Sequence, residues 1–484
     1  MSSEIKATYH EIDFLLPVHR FHIRFSYVTK KGLPFIREFV LRLLHISPMS
    51  RSQIATYFGL SKLETDEAIS DLIERGDIQF DDNGSFGLTI QSNGYFVELG
   101  KPPQLSTVME TGGTFSFELA SFHCIGRERT NEKWKSGITI QVDNEVIATS
   151  EQLANSNFQK QFYEIVEKKY IPHIRDNEES GNPSIYTMES VNKLGQEPLR
   201  LTCQFRIDED GAAIERDDFE VLGDSSAVHE LITSLLSQSQ KNNNISDVAE
   251  AMNQLRDERT RKLFNANSID LKLFIQTAAI QQHNNEDWLF MLGPVYERNN
   301  WELIWEQFDK VLDEKKGANE AGSKELLWVA PSDAFWGATS RWSSCIEDLI
   351  ERAFIKGKEK QRLFTPRLYL PLESANDRYS ISKWERELSH NSKFAHGLLE
   401  GFLGGNVEIL LLHDSFVVVS YHISHPTSLP VSLPLGFIST QVGVVRHIEK
   451  LTTEYVEGMK SFDSPNNLGA LSALNQRRKG VSAN

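Results

Sequence analysis

The sequence predicts a multidomain protein that combines α+β and α/β architecture. A chain of 484 residues is longer than one hydrophobic core usually supports, so roughly two to four domains are expected. Residues 33–98 show a pattern of three helices and a hairpin, and residues 323–462 alternate short apolar runs with amphipathic helices. The most apolar stretch, at 406–429, predicts two buried strands separated by His413-Asp414-Ser415.

Composition and charge exclude several classes of protein. Apolar residues make up 40% and charged residues 24% of the chain, which is ordinary for a globular protein. The formal net charge of -16 argues against non-specific coating of nucleic acid, although local basic patches could still contact phosphate. The cysteines lie far apart and without a CxxC pair, which predicts buried thiols in a reducing compartment: Cys124, Cys203 and Cys345.

The sequence also predicts a cytoplasmic protein that makes no membrane contact. His413 and Asp414 interrupt the longest apolar run, which is then too short and too polar for a membrane span. The first residues lack the positive start and apolar centre of a secretion signal.

Residues 1–103 are predicted to form a helical domain with a basic N-terminal segment. An apolar run at helical spacing predicts a first helix. Ser50 can cap a short second helix, and Ser61 followed by Glu64 forms a capping box for a third. Residues 78–89 contain two short apolar runs around an Asp-Asn-Gly turn, which predicts a β-hairpin.

This order of elements resembles a winged helix-turn-helix domain over residues 33–98. The resemblance is carried by Ile54-Ala55, by the turn Phe58-Gly59-Leu60-Ser61, by the helix exit Leu72…Gly76-x-Ile78 and by the wing Leu88-Thr89…Gly94. In that family the second helix of the pair enters the DNA major groove. Here that helix carries five acidic residues that would face phosphates: Glu64, Asp66, Glu67, Asp71 and Glu74. Arg51 and Lys62 are then the candidate phosphate contacts, and DNA binding and protein docking or dimerisation remain equally open.

Residues 104–238 predict an α+β domain. Strand-like alternation, a helical stretch at 158–171 and a hairpin over 199–221 support it. A basic loop surrounds Trp134, and such a loop could hold a nucleic-acid backbone and stack one base; a solvated loop is the simpler alternative. The cations of this loop are Arg127, Arg129, Lys133 and Lys135. The following acidic turn lacks the further ligands of a calcium loop and predicts a solvated turn: Asp208-Glu209-Asp210-Gly211.

Three further segments complete the chain. A polar stretch at 238–247 marks the best domain boundary, and residues 239–322 are predicted to form a helical linker region. Residues 323–462 predict an α/β domain, and residues 463–484 a flexible tail. Before the apolar stretch, the α/β domain is predicted to alternate strand 326–330, helix 342–357, strand 368–370 and helix 394–402.

The apolar stretch resembles the phospholipase D superfamily, whose lipases and nucleases carry a His-x-Lys-x4-Asp signature followed after six residues by Gly-Ser. In this register His413 and Ser428 match, whereas Ser415 replaces the lysine and Ser420 replaces the aspartate. A downstream run resembles the family's Glu-x-Gly-Val strand, with glutamine for glutamate: Gln441-Val442-Gly443-Val444-Val445. The resemblance implies a domain of this family in which the histidine attacks phosphorus and forms a phosphohistidine.

The missing lysine changes what this resemblance implies about activity. In the family the lysine neutralises charge that develops on the phosphate, and losing one such donor costs on the order of a hundred- to a thousand-fold in rate. Family active sites usually combine two such motifs, and the sequence contains one. A degenerate, non-catalytic domain is therefore the preferred hypothesis, and a plain strand-end turn at His413 would need no chemistry. The rival is an active dimeric nuclease with His413 as nucleophile and a lysine from elsewhere, Lys383 or Lys393.

The other candidate sites are weaker. A second basic patch could follow a phosphate backbone, although a solvated helix end is the simpler alternative: Lys356, Lys358, Lys360, Arg362 and Arg367. His422 is predicted to lie on the opposite strand face from His413, which argues against a shared metal. The sequence has no Walker loop, dinucleotide fingerprint or HExxH motif, so it predicts no cofactor and no metal site.

Together these patterns predict a DNA-associated, non-catalytic subunit of a larger assembly. The pairing of the two resembled families is typical of bacterial antiviral-defence or mobile-element systems. The expected partners are DNA and other proteins of a complex, with a homodimer as a further alternative. A transcription regulator with a ligand-sensing C-terminal domain is the third functional hypothesis.

Overall fold

Helices and sheets are mixed along the whole chain. The computed structural model describes residues 7–81, 84–96, 103–172, 174, 183–208, 210–264, 269–284, 287–315, 325–355, 358–374, 377–399, 402–457 and 467–470. The chain divides into two compact units, each built from separate stretches of sequence. The smaller unit comprises residues 18–130 and 142–197, and the larger unit comprises residues 1–17, 131–141 and 198–484. The five sequence segments given above stay a prediction.

The elements between residues 7 and 96 include the predicted three helices and hairpin in order, preceded by a strand and followed by a short helix that were not predicted. They are β1 (Ala7–Gly32), α1 (Phe35–Ile46), α2 (Arg51–Phe58), α3 (Lys62–Glu74), β2 (Ile78–Phe80), β3 (Phe86–Leu88) and α4 (Ile90–Asn93). The capping box begins α3 as predicted: the Glu64 N–H donates to Ser61 Oγ, and the Ser61 N–H donates to the Glu64 carboxylate. Strands β2 and β3 pair antiparallel. Membership of the winged-helix family stays a prediction.

A small apolar core and one buried ion pair hold the three helices together. Arg37 on α1 donates to both oxygens of the Asp77 carboxylate, at 2.6 and 2.8 Å. Because Asp77 is fully buried, this pair fixes α1 against the turn that follows α3. Ile73 is 47% exposed, because α3 turns other side chains inward. The core residues include Val40, Leu41, Leu44, Ile54, Ile69 and Leu72.

The next elements contribute to both units. They are β4 (Gln104–Glu118), β5 (Cys124–Gly126), β6 (Ile138–Thr139), α5 (Asn144–Ala148), α6 (Ser150–Lys160), α7 (Phe162–Glu167), β7 (Ser184–Ile207) and β8 (Ala213–Ile214). In the smaller unit β1 pairs antiparallel with β4, and β4 with β5, around an aromatic core that includes Phe25, Phe115 and Phe158. In the larger unit β7 and β8 form the predicted hairpin, and Asp208 Oδ1 accepts two backbone hydrogen bonds within its turn.

The remaining elements belong to the larger unit. The first group is α8 (Ser226–Ser239), α9 (Ile245–Gln254), α10 (Glu258–Arg261), α11 (Leu271–Asn284), β9 (Trp288–Leu292) and α12 (Arg298–Lys315). The second group is β10 (Glu325–Val329), α13 (Ser340–Arg352), β11 (Phe354–Ile355), β12 (Lys358–Arg362), β13 (Thr365–Leu372), α14 (Arg378–Leu388), β14 (Ala395–Leu399), β15 (Val407–Leu412), β16 (Phe416–Ile423), β17 (Leu433–Ser439), α15 (Val442–Glu457) and β18 (Asn467–Ala470).

An eight-stranded sheet forms the centre of the larger unit, in the order β18-β14-β13-β10-β15-β16-β17-β9. Strands β14, β13 and β10 are parallel, whereas β10, β15, β16, β17 and β9 follow one another antiparallel. Tryptophan side chains fill much of the core beside this sheet: Trp301, Trp305, Trp328, Trp336, Trp342 and Trp384. The three cysteines are buried, as predicted.

Two secondary-structure predictions for this unit are wrong. The sequence predicts a helix over residues 394–402, but β14 pairs parallel with β13 there. The five residues of β14, AHGLL, are too few for periodicity to distinguish a strand from a helix. Helix α13 ends at Arg352 instead of near residue 357, and the short strands β11 and β12 follow it.

The apolar stretch forms the predicted pair of buried strands. All six residues of β15 and all eight of β16 are buried, and the two strands pair in continuous antiparallel register. A strand covered on both faces is expected to read as a nearly continuous apolar run. His413-Asp414-Ser415 forms the turn between them, with Asp414 at φ 53°. Among the described helices, none combines the length and apolar character needed to cross a membrane.

Candidate functional site

His413 lies at the turn end of the β15–β16 hairpin, where α15 supplies its partner. Its Nδ1 lies 2.7 Å from Glu449 Oε1, and the Asp414 N–H donates to Glu449 Oε2 at 3.0 Å. Ser415 Oγ donates to the His413 carbonyl, so this hydroxyl serves the turn. The imidazole is one quarter exposed. Glu449 therefore fixes the orientation of His413 at the rim of the larger unit.

The other residues of the predicted signature do not converge on His413. Ser420 pairs with Glu408 across the hairpin. At the usual rise per residue of a strand, Ser420 lies about 14 Å from Phe416, the first residue of β16. Ser428 lies in the turn after that strand. Of the two lysines suggested as replacements, Lys383 Nζ lies 4.6 Å from the centroid of the Trp384 ring, and burial lowers its pKa. Lys393 Nζ lies 5.0 Å from the centroid of the Phe394 ring.

The opposite end of the same hairpin carries a buried charge cluster that the sequence did not predict. His422 Nδ1 lies 2.8 Å from Asp333 Oδ2, and its Nε2 lies 3.3 Å from Glu408 Oε2. The indole N–H groups of Trp328 and Trp336 both donate to Glu408 Oε1 at 2.8 Å. Each carboxylate in the cluster is therefore bound on more than one side.

The pKa values of His422 and Asp333 indicate that both groups are charged, so this cluster is a buried ion network. Burial lowers the pKa of His422, but its hydrogen bonds to Asp333 and Glu408 outweigh burial and raise that pKa to about 9. Burial raises the pKa of Asp333, but its hydrogen bonds to His422 and Ser432 and the charge of His422 together outweigh burial and lower that pKa to about 2. His422 is therefore an imidazolium at neutral pH. Burial lowers the pKa of the neighbouring His10 to about 4 and keeps that ring neutral.

The polar stretch before α9 closes the cluster. Asn244 Nδ2 donates to the His422 carbonyl and to Asn406 Oδ1, at 2.9 and 2.8 Å. Ser424 Oγ donates to the Lys241 carbonyl, and Lys241 Nζ donates to the Ser332 carbonyl. The cavity that remains has a volume of about 20 Å³, enough for roughly one water molecule.

The order of hydrogen bonds decides what this cluster can do. Ser432 Oγ donates to Asp333 Oδ2, and Asp333 in turn binds His422. In nucleophilic catalysis the histidine stands between serine and carboxylate and removes the hydroxyl proton. Here the carboxylate stands in the middle, so His422 cannot activate Ser432. The described residues also contain no group of three His, Cys, Asp or Glu side chains arranged to hold a metal ion.

In the smaller unit, Arg51 and Lys62 line an open groove beside α2 and α3. Its volume is about 670 Å³, and Phe80 and Phe86 of the β2–β3 hairpin form the opposite wall. Arg51 Nη1 lies 2.9 Å from Asp66, so this guanidinium is already paired with a carboxylate of α3. Lys62 is exposed at the first position of α3.

The outer face of α3 is acidic. Leu63, Glu67, Ser70 and Glu74 follow one another at helical spacing and are all exposed. Asp71 is exposed beside them and pairs with Arg75 at 2.8 Å. The helix carries five carboxylates and one lysine. Because phosphates would meet carboxylates on this face, its charge opposes insertion into a DNA groove.

The other predicted basic residues are spread over different elements. Arg127 lies over the Phe115 ring at 5.9 Å, and Arg129 Nε lies 3.7 Å from Glu197, all in the smaller unit. Lys358, Lys360 and Arg362 belong to strand β12, so the predicted helix end is wrong; α13 has already ended. Lys356 lies outside the described residues.

Arg200 fixes part of the predicted basic loop within the larger unit. Its guanidinium donates to the carbonyls of Lys135 and Ser136 and pairs with the buried Asp13 at 2.8 Å. Arg200 therefore holds the backbone at the end of the loop that contains Lys133, Trp134 and Lys135.

Comparisons of the chain with protein-family models, with curated proteins and with solved structures found no match.

Sequence reasoning missed Glu408 and Asp333 as the partners of His422. A detectable signal was the placement of Glu408 and His422 within otherwise apolar strands, since buried charged residues are almost always paired. The identity of the partners was not detectable, because Asp333 and Lys241 are distant in sequence.

Proposed function

We propose that this chain is a non-catalytic subunit of a larger assembly and binds a protein partner through the outer face of α3. The observation that carries this proposal is the acidic and partly apolar character of that face, formed by Leu63, Glu67 and Glu74. Leu63 is 71% exposed and offers an apolar anchor. Charge complementarity favours a partner segment that presents lysine or arginine around an apolar side chain.

The geometry of the β15–β16 hairpin supports a non-catalytic role. His413 is oriented by Glu449, and the residues expected to act with it lie elsewhere on the hairpin. His422 is charged and enclosed, with room beside it for about one water molecule. His422 therefore has no room for a substrate beside it, and at His413 the sequence has Ser415 in the signature position of the charge-stabilising lysine.

A photo-crosslinking experiment tests this proposal. A photoreactive residue replaces Ser70 in the full chain, because Ser70 is exposed between Glu67 and Glu74 on α3. The matched control carries the same residue at Glu306, an exposed position on α12. After illumination in cells we expect a protein adduct at position 70 that is absent at position 306. Glu67→Lys with Glu74→Lys should remove the adduct. A nuclease-sensitive adduct at position 70, or none, would contradict the proposal.

DNA association is the second candidate, favoured by the groove beside Arg51 and Lys62. Fluorescence anisotropy with labelled duplex DNA separates the two functions. If the outer face of α3 repels phosphate, Glu67→Lys with Glu74→Lys should increase affinity about tenfold or more at low salt. If the groove binds DNA, Arg51→Glu with Lys62→Glu should abolish measurable binding by the wild-type chain. Tight wild-type binding that depends on Arg51 and Lys62 would favour DNA association over protein docking.

A further inference from the structure

Helix α1 is apolar on two sides, and only one side has a partner within the described part of the smaller unit. Val40, Leu41 and Leu44 face the core. On the outer side a stripe follows the spacing i, i+4, i+7, i+11, in which Phe35, Phe39 and Ile46 are exposed and Arg42 is partly exposed. Phe35 is 73% exposed and Ile46 is 81% exposed. A stripe with this spacing is the seam that one helix presents to another helix.

We propose that this stripe joins two copies of the chain through an antiparallel α1–α1 contact. The stripe is symmetric about the point midway between Val40 and Leu41. A two-fold axis at that point places Phe35 against Ile46 of the second copy, and Phe39 against Arg42 of the second copy. An interface of this kind needs one surface that complements itself, and the spacing of the stripe meets that condition.

The side chains of the stripe are already arranged for such a contact. The Phe35 and Phe39 rings lie 4.5 Å apart, and the Arg42 guanidinium lies 5.5 Å from the Phe39 ring. Glu38 pairs with Arg42 at 3.3 Å, which leaves the stripe without net charge. In the dimer each Arg42 would cover a Phe39 ring of the other copy, so the arginine can remain charged at the interface.

Charge explains why a second copy suits this stripe and not the outer face of α3. Two copies of a chain with a net charge of -16 repel each other, and a contact between two acidic α3 faces would add to that repulsion. The neutral stripe on α1 avoids this cost. Dimerisation should therefore strengthen as salt screens the net charge, whereas the proposed binding of a basic partner to α3 should weaken.

Sedimentation equilibrium of the full chain tests the dimer. The stripe is smaller than the roughly 800 Å² per partner of a standard interface, so we expect dissociation in the micromolar range. The monomer mass is 55.1 kDa, and the wild-type chain should approach twice this value as its concentration rises. Ile46→Glu and Phe35→Lys should each reduce association at least tenfold, because each buries a charge against an apolar side chain.

A double variant of Phe35 and Ile46 tests whether the two α1 helices pair antiparallel. Phe35→Lys combined with Ile46→Glu places opposite charges together at both ends of the antiparallel pair, so it should restore association. The matched control is Ile90→Glu, which charges a 95% exposed isoleucine outside the stripe and should leave association unchanged. Far-UV circular dichroism checks that every variant is folded. A wild-type chain that stays monomeric at about 100 μM, or a double variant no better than the single ones, would overturn the proposal.

Discussion

The two ends of the β15–β16 hairpin carry two histidines in opposite situations. His413 at the turn is one quarter exposed and has a carboxylate partner on the neighbouring helix α15. His422 at the other end is buried between Asp333 and Glu408, and each of these carboxylates has further donors. The signature spacing in the sequence identified His413, the partly exposed histidine, and not the buried His422. The histidine that organises the interior has partners that sequence spacing does not reveal.

The largest difference between the two ends should appear when each histidine loses a carboxylate. Asp333→Ala leaves the imidazolium of His422 with one partner in a buried site and should lower the free energy of unfolding by about 3–5 kcal/mol. Urea denaturation followed by tryptophan fluorescence measures this change in the larger unit, because all eight tryptophans belong to it. A loss below about 1 kcal/mol would show that the cluster is not a buried ion network.

The second difference concerns pH. The pKa of His422 is about 9 in the folded chain, against an ordinary value of 6.5, so its stabilisation is complete below pH 6.5 and is lost as pH rises through 9. The larger unit should therefore lose about 3 kcal/mol between pH 6.5 and 10 through this group. At the acid end, the pKa of Asp333 is lowered from 3.8 to about 2, so its contribution disappears as pH falls through 2.

Urea midpoints measured across this pH range test whether the loss of stability at alkaline pH comes from His422. The groups that face His422 are Asp333, Glu408 and His10; the pKa of Asp333 is lowered to about 2 and that of His10 to about 4, both far below the pKa of about 9 for His422. His422→Gln should flatten the alkaline part of the profile. His413→Gln is the matched control and should leave it unchanged; an equal effect of the two variants would refute the assignment.

Glu408→Gln should have a smaller effect than removing Asp333. The amide oxygen can still accept hydrogen bonds from Trp328 and Trp336, but the negative charge beside His422 is lost. We expect a stability loss of about 1–3 kcal/mol and a lower pKa for His422. NMR titration of the His422 ring would detect the lower pKa, and an unchanged titration would show that Glu408 does not hold the charge.

The smallest effect is expected at the turn end. Glu449→Ala removes the carboxylate partner of His413 at the partly exposed rim and should cost less than about 1 kcal/mol. The same urea experiment measures it beside Asp333→Ala. A cost equal to that of Asp333→Ala would remove the contrast between the two ends of the hairpin.

Local signals in the sequence predicted much of the fold. The capping box at Ser61, the apolar spacing of α1 and the two buried strands around His413 follow from interactions within a few residues. Strand β14 was missed because its five residues carry no distinctive period. Its pairing with β13 depends on contacts that the local sequence does not encode.

The candidate site was less predictable because its parts meet only in the folded chain. Lys241 and Asp333 lie in two separate loops and Glu408 lies in β15, and their meeting near His422 depends on the strand order of the sheet. The polar stretch near Asn244 looked like a linker because its side chains are hydrophilic. In the fold those side chains bind the end of β16. Composition cannot distinguish a polar residue that faces water from one that binds buried backbone.

The most direct test of a non-catalytic hairpin is a cleavage assay on labelled single- and double-stranded DNA in the presence of EDTA. The wild-type chain and His413→Ala are compared at the same concentration, with circular dichroism to confirm folding. We predict that the wild-type chain produces no more cleavage than His413→Ala. Metal-independent cleavage that the wild-type chain performs and His413→Ala does not would contradict a non-catalytic role and establish His413 as a nucleophile.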